Sequence, residues 1–152
     1  MRVTSFPLPR PGRLEILSLA LMASTIAAMP AAGAEGAAEY REHVMESIGG
    51  HMQASADILQ QKVDHQDHLR LHVNALTDMA GIARTLFPEG SEGGDALPAI
   101  WEDPDDFSNR LTALEEAAAE LKTAMNDGGD IGPAFQKVGQ ACKGCHDNYR
   151  DE

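Results

Sequence analysis

Apolar residues recur every three or four positions along four stretches of the chain. The first stretch covers residues 37–61, and the second covers residues 69–87, where Pro88 ends it. The third and fourth stretches lie on either side of the sequence NDGGD at 126–130. This period is typical of amphipathic helices, and no stretch shows the alternation of two that a half-buried strand requires. The pattern therefore predicts an all-α fold of four helices.

Local signals indicate where these helices begin and how they are ordered. Asp103 can cap the third helix, Pro104 suits its first position, and Asp105 and Asp106 favour the positive end of its dipole. The connections between helices one and two and between helices three and four are short, so each pair is expected to run antiparallel. The expected architecture is an antiparallel four-helix bundle.

The connection between the second and third helices is long and rich in glycine, with the sequence PEGSEGGDALPAIWED at 88–103. Long loops in compact domains are often functional. Two interpretations stay open. The segment is either a plain crossover packed down by Ile100 and Trp101, or a loop that contacts a cofactor.

The first 34 residues have the pattern of a secretory signal peptide. Arg2, Arg10 and Arg13 precede an apolar run at 16–29, and Ala32 and Ala34 fit the small-residue rule for cleavage. A membrane anchor is the alternative, but the run is shorter than the about 20 apolar residues that a span needs. We therefore expect cleavage after Ala34, export to the periplasm, and a single mature domain at 35–152 without a membrane span.

Charge restricts the class of partner. The chain has 24 acidic and 12 basic residues and a net charge of −12. The mature part is more acidic still, because the leader holds three arginines and only one acidic residue. Such a charge argues against nucleic acid or an anionic membrane surface as a partner.

The only two cysteines, Cys142 and Cys145, lie one helical turn apart on the apolar stripe of the fourth helix, directly before His146. A disulfide between them is strained, because both side chains point the same way along a stiff backbone. Thiol–disulfide enzymes place C-x-x-C where a strand meets a helix, and a zinc site needs four ligands. C-x-x-C-H is also the signature of covalent haem attachment. We interpret the motif as one haem c per chain, bound by two thioethers and an imidazole.

The bundle with C-x-x-C-H near its C-terminus resembles the class II c-type cytochromes, the cytochrome c′ family. The resemblance covers nearly the whole mature chain. It is carried by YREHVM at 40–45, EGSEGGDALPAIW at 89–101 and CKGCHDNYR at 142–150. It implies a four-helix bundle with one haem, in which His146 is the proximal ligand of the iron and Arg150 is the basic residue beside it.

The resemblance also implies roles for residues outside the C-x-x-C-H motif. Arg41 matches an arginine that pairs with a haem propionate, and Asp95 matches a haem-edge residue of the long loop. Glu42 occupies the next position after Arg41, where relatives often carry a polar amide and where an anion repels a propionate. Met45 matches the position that faces the distal side of the iron, either as a sixth ligand or as a side chain that only packs over the ring.

Three functions follow from these assignments. The main expectation is one-electron transfer by the haem iron to a protein redox partner, without enzymatic activity. The alternative is a five-coordinate haem protein that binds or scavenges nitric oxide or another small gas. The third class, a purely structural exported bundle, is disfavoured because it leaves the CKGCH sequence unexplained.

A second set of side chains has its own interpretations. His65, His68 and His72 recur at helical spacing and can grip a transition metal from one face, although such a stripe is more often a solvated face or the edge of an interface. Relatives often form homodimers through their first two helices, and the stripe can lie at such an interface.

Overall fold

The computed structural model describes residues 34–151, which form five helices and two short 3₁₀ turns. The helices are α1 (Ala34–Leu59), α2 (Leu69–Ala83), α3 (Ala99–Glu102), α4 (Pro104–Asp127) and α5 (Ile131–Tyr149). The 3₁₀ turns are Gln66–His68 and Arg84–Leu86. Most of the predicted signal peptide, residues 1–33, lies outside the described residues. Four long helices confirm the predicted all-α bundle.

The ends of the helices follow from local chemistry. Asp103 caps α4, because its Oδ1 accepts the backbone N–H of Asp106 at 3.2 Å. Gly128 ends α4 in the left-handed conformation with a φ of 67°, and Asp130 then caps α5 by accepting the N–H of Gly132 at 3.0 Å. The predicted second helix is shorter than expected, because its last turn before Pro88 tightens into the 3₁₀ turn Arg84–Leu86.

The bundle is closely packed along three of its helix pairs, α1 with α2, α2 with α4, and α4 with α5. Among residues 34–151, α1 and α5 do not form such a closely packed pair. The main core contains these buried residues: Val44, Ile48, Ile58, Leu69, Val73, Leu76, Leu86, Ala117, Leu121, Ala134 and Val138. A second, smaller cluster at one end contains Ala83, Ile100, Phe107, Leu111 and Tyr149.

The crossover at 88–103 is packed against the end of the bundle. Ile100 is buried, and the indole N–H of Trp101 donates to the carbonyl of Pro88 at 3.2 Å. The backbone N–H of Leu97 donates to the carbonyl of Tyr149 at 3.1 Å. The crossover, which begins after α2, is therefore hydrogen-bonded to the C-terminal end of α5.

None of the helices in the described part of the chain combines the length and the apolar character that a membrane span requires.

Candidate functional site

The C-x-x-C-H motif lies on the last two turns of α5. Cys142 and Cys145 are free thiols, both half-buried. Cys142 packs against the main core, and Cys145 packs against the smaller cluster at the end of the bundle. Both cysteines thus face inward, as the apolar stripe predicts, and they stay unbonded to each other.

Burial sets the protonation state of these groups. It raises the pKa of Cys142, and together with the neighbouring Cys142 it raises the pKa of Cys145 to about 11. Burial, followed by the charge of Arg150, lowers the pKa of His146. At neutral pH the motif therefore presents two protonated thiols and one uncharged imidazole, which has a lone pair to give to a metal.

Arg150 lies beside His146, one turn further along. Its Nη1 is 3.4 Å from the Nδ1 of His146. The backbone of Arg150 forms an isolated bridge with Ala96 of the crossover. Arg150 thus lies beside His146, and the role of His146 as the proximal ligand stays a prediction.

Arg41 on α1 is buried, with 4% of its surface exposed. Its Nη1 donates to the carbonyl of Leu86 at 3.2 Å and to the hydroxyl of Ser91 at 3.3 Å. Its Nη2 donates to the carbonyls of Ser91 at 3.0 Å and Gly93 at 2.9 Å. The guanidinium also lies over Phe87, 5.1 Å from the ring centroid. These contacts bind the start of the crossover to α1, and pairing with a propionate stays a prediction.

Glu42 and Asp95 lie on the surface near this contact. Glu42 is exposed, and its carboxylate lies against Gly94, where a Cβ would collide with it. Gly94 also has a φ of 58°, so both its conformation and its contact favour glycine. Asp95 is exposed, and its carbonyl accepts the N–H of Asp151 at 2.8 Å. The crossover thus brings Asp95 to the end of the bundle that carries His146, and Glu42 contacts the crossover from α1.

Met45 lies one turn after Arg41 on α1 and is half-buried. It packs against the same core that receives Cys142 from α5. The thioether of Met45 and the thiol of Cys142 thus approach the same core from two separate helices, α1 and α5. The chemistry of this donor set fits a haem: two inward thiols and an uncharged imidazole on α5 could hold it, and the thioether of Met45 on α1 is a soft donor.

Sequence reasoning missed the importance of Ser91 and Phe87. Ser91 is almost completely buried, accepts from Arg41, and donates its hydroxyl to the carbonyl of Pro88 at 2.7 Å. Nothing in a loop serine indicates such a contact. In the sequence Phe87 indicates only the end of the second apolar stretch, whereas in the structure its ring lies under the Arg41 guanidinium and 6.5 Å from the ring of Trp101.

Comparison with known proteins gives a consistent result. The family described as Cytochrome C' matches residues 36–150. Cytochrome c′ from Alcaligenes xylosoxydans xylosoxydans is 30% identical over 120 residues, which cover 76% of this chain and 94% of the relative. Cytochrome c-556 from Agrobacterium tumefaciens (strain II Chrys) is 36% identical over 118 residues, covering 76% and 97%. Cytochrome c-554 from Cereibacter sphaeroides is 43% identical, but over 77 residues that cover 47% of this chain and half of the relative.

Solved structures give the same fold. A nitric oxide complex of a variant of cytochrome c prime from Alcaligenes xylosoxidans superposes with a TM-score of 0.71 at 28% identity. The match covers 76% of this chain and 94% of that one. The cofactor implied by these matches is one c-type haem with its iron per chain. The family match over most of the chain, the bundle and the position of the motif lead to one conclusion: this chain belongs to the cytochrome c′ family.

Proposed function

We propose that this protein is a periplasmic cytochrome that transfers single electrons through a haem covalently attached at Cys142 and Cys145, with His146 as the proximal ligand. The observation that carries the proposal is the position of the motif on α5. Two free, inward-facing thiols one turn apart are followed directly by a half-buried imidazole. No other combination of thiols exists in the chain.

Each residue of the motif then has a chemical task. Cys142 and Cys145 would hold the haem, since the S–H of each could add across one vinyl C=C to form a C–S and a C–H bond without an oxidant. His146 offers a ring lone pair, and Arg150 holds a positive charge 3.4 Å from its Nδ1, which disfavours a second proton on the ring. The bound haem supplies an iron that cycles between the ferrous and ferric states. Burial and the ligands tune its potential.

A second candidate function is the binding of nitric oxide or another small gas. It is favoured by the solved relatives, of which one is a nitric oxide complex at 28% identity and another is a carbon monoxide complex at 29% identity. Met45 determines whether the iron can bind gases in addition to transferring electrons. A thioether bonded to iron closes the sixth position, whereas a thioether that only packs over the ring leaves that position open to gases.

Covalent attachment is tested with single cysteine variants made in a host competent in c-type haem attachment. Acid–acetone extraction should leave the colour on the wild-type protein, and Cys142→Ala or Cys145→Ala should reduce or abolish stable holoprotein. Lys143→Ala, an exposed change inside the same turn, should keep full haem content. A colourless wild-type protein would contradict the proposal.

The optical spectrum of the ferric protein tests the role of Met45. We expect a high-spin spectrum, and Met45→Ala should then leave it nearly unchanged while nitric oxide binds faster. Met52→Ala, a half-buried methionine two turns further along α1, serves as the matched control. A methionine–iron charge-transfer band that Met45→Ala abolishes would instead make Met45 a ligand and favour electron transfer alone.

Export and partners complete the proposal. Intact mass of protein from the native host should show a chain that begins at Glu35, and retention of residues 16–29 would contradict export by a cleaved leader.

A protein redox partner receives or supplies the electron. Assembly as a homodimer through α1 and α2 is included in the proposal and is checked by sedimentation.

A further inference from the structure

Two histidines meet where α1 packs on α2. The Nδ1 of His51 on α1 lies 2.9 Å from the Nδ1 of His72 on α2. The ring centroids are 5.2 Å apart, and the ring planes are tilted by 55°. Both side chains are half-buried. Two nitrogens from different helices are therefore within hydrogen-bond distance of each other, so that one Nδ1 carries a proton that a bound ion would replace. This pair lies far along the sequence from the cysteines and His146.

The backbones that carry these rings are held by the core. On α1, Ile48 is buried one turn before His51, and on α2 the adjacent Val73 is fully buried. α1 and α2 form one of the closely packed helix pairs. The convergence of the two nitrogens is thus set by packed helices and not by a flexible loop, which is the preorganisation that a ligand site needs.

The separation of the nitrogens indicates which ion fits. Imidazole nitrogens bind transition metals at about 2.0–2.1 Å. For an ion at that distance from both atoms, a 2.9 Å separation corresponds to an angle of about 90° at the metal. This is the angle between neighbouring ligands in square-planar, tetragonal or octahedral geometry, which Cu²⁺ and Ni²⁺ adopt with nitrogen ligands.

A third imidazole is available nearby. His68 precedes His72 by four residues and so lies on the same face, one turn away. Burial, followed by the charges of His51 and His68, lowers the pKa of His72. His68 is more than half exposed and lies at the start of α2, where its ring stacks on His65 with 4.8 Å between the centroids and its Nε2 lies 3.7 Å from Asp67. To reach an ion between the other two rings, the side chain would have to rotate away from both of these neighbours.

We propose that each chain binds one Cu²⁺ or Ni²⁺ ion through the Nδ1 atoms of His51 and His72, with His68 as a third ligand. The ion fastens α1 to α2 and is separate from the haem iron, whose predicted ligands lie on α5 and at Met45. His65, Asp67 and His68 form another group that can hold a metal, but all three are exposed and lie within one short turn. A metal bound by that group would share only His68 with the proposed site.

Calorimetric titration of the ferric, haem-loaded protein with NiCl₂ tests the proposal, using protein without a polyhistidine tag. We expect one ion per chain, and we expect His51→Ala and His72→Ala each to weaken binding by at least about tenfold, since loss of even an outer-shell partner costs that much. His43→Ala, an exposed histidine two turns earlier on α1, should bind as the wild type does. The haem spectrum and far-ultraviolet circular dichroism of each variant check that it is folded.

A second readout separates the two groups of histidines. Ni²⁺ should raise the midpoint of thermal unfolding of the wild type and of His65→Ala, but not of His51→Gln or His72→Gln, because an ion stabilises only the state that binds it. Electron paramagnetic resonance of the Cu²⁺ form should show splitting from two or three nitrogens. Binding that depends on His65 and not on His51, or half an ion per chain with dimerisation, would overturn the proposal.

Discussion

At the scale of single residues, Arg41 is the clearest case in which structure adds to the sequence. Motif resemblance predicts a partner for a haem propionate, whereas the side chain forms four hydrogen bonds with Leu86, Ser91 and Gly93. Those acceptors lie 45 to 52 residues further along the chain. Spacing reports which residues share a helix face, but it carries no information about which distant carbonyls a buried cation meets.

Removal of this guanidinium should destabilise the protein even without any change in haem content. We expect Arg41→Ala to lower the free energy of unfolding by about 3 kcal/mol, because three carbonyls and a hydroxyl lose a charged donor. Arg41→Lys should recover little of that loss, since an ammonium on a flexible stem cannot occupy four sites of a planar fork. Urea unfolding of the holoprotein measures the free energy of unfolding of both variants.

The exposed Arg84 provides the matched control for Arg41. It bonds to Ser108, Thr112 and Glu115 on the surface, with 43% of its side chain exposed. Arg84→Ala should therefore cost only about 0.5 kcal/mol. Equal losses in the two alanine variants, or full rescue by Arg41→Lys, would mean that Arg41 acts chiefly as a charge and that its contacts with the crossover contribute little.

At the scale of helices and loops, sequence was informative wherever an element depends on its own residues. The cap at Asp103, the break at 126–130 and the inward stripe of α5 were all predicted, because capping and amphipathicity are local. The 3₁₀ turn before Pro88, the short helix α3 and the bridge between Ala96 and Arg150 were not. They arise from packing of the crossover against the end of the bundle, and the spacing of apolar residues along the sequence does not indicate such packing.

The cap of α4 yields a prediction at this scale. Asp103→Ala removes the acceptor for the N–H of Asp106 and should lower the free energy of unfolding by about 1 kcal/mol. Asp103→Asn keeps an acceptor without the charge and should be nearly neutral. Thermal unfolding of the two variants separates the effects. An equal loss in both would show that the charge at the helix dipole matters, and not the cap.

At the scale of the whole molecule, a continuous chain of contacts closes one end of the bundle. Arg41 joins α1 to the crossover, Ala96 joins the crossover to Arg150, and Tyr149 joins α5 to α4. In the last contact the hydroxyl of Tyr149 donates to Asp106 at 2.7 Å, and Arg110 donates to the same carboxylate oxygen at 3.1 Å. This end also carries the C-x-x-C-H motif, so its integrity should hold the site in shape.

The contact between Tyr149 and Asp106 makes stability depend on pH at both extremes. Hydrogen bonds from Tyr149 and then Arg110 lower the pKa of Asp106, and the same bond raises the pKa of Tyr149 to about 12. A lowered carboxyl pKa adds stability above the unfolded value of about 3.9, and that stability is lost as pH falls through the folded value. A raised phenol pKa adds stability below about 10, and that stability is lost as pH rises toward 12.

Tyr149→Phe should therefore reduce the free energy of unfolding by a constant amount between roughly pH 5 and pH 9, where the bond is intact in the wild type. The difference between the two proteins should shrink below and above that range, as Asp106 gains its proton or Tyr149 loses its own. Tyr40→Phe, at an exposed tyrosine on α1, should leave the profile unchanged. Urea unfolding across the pH range measures all three proteins. A difference that stays the same from acid to alkali would assign the effect of Tyr149 to packing against Phe107, whose ring lies 5.1 Å away, and not to its hydroxyl.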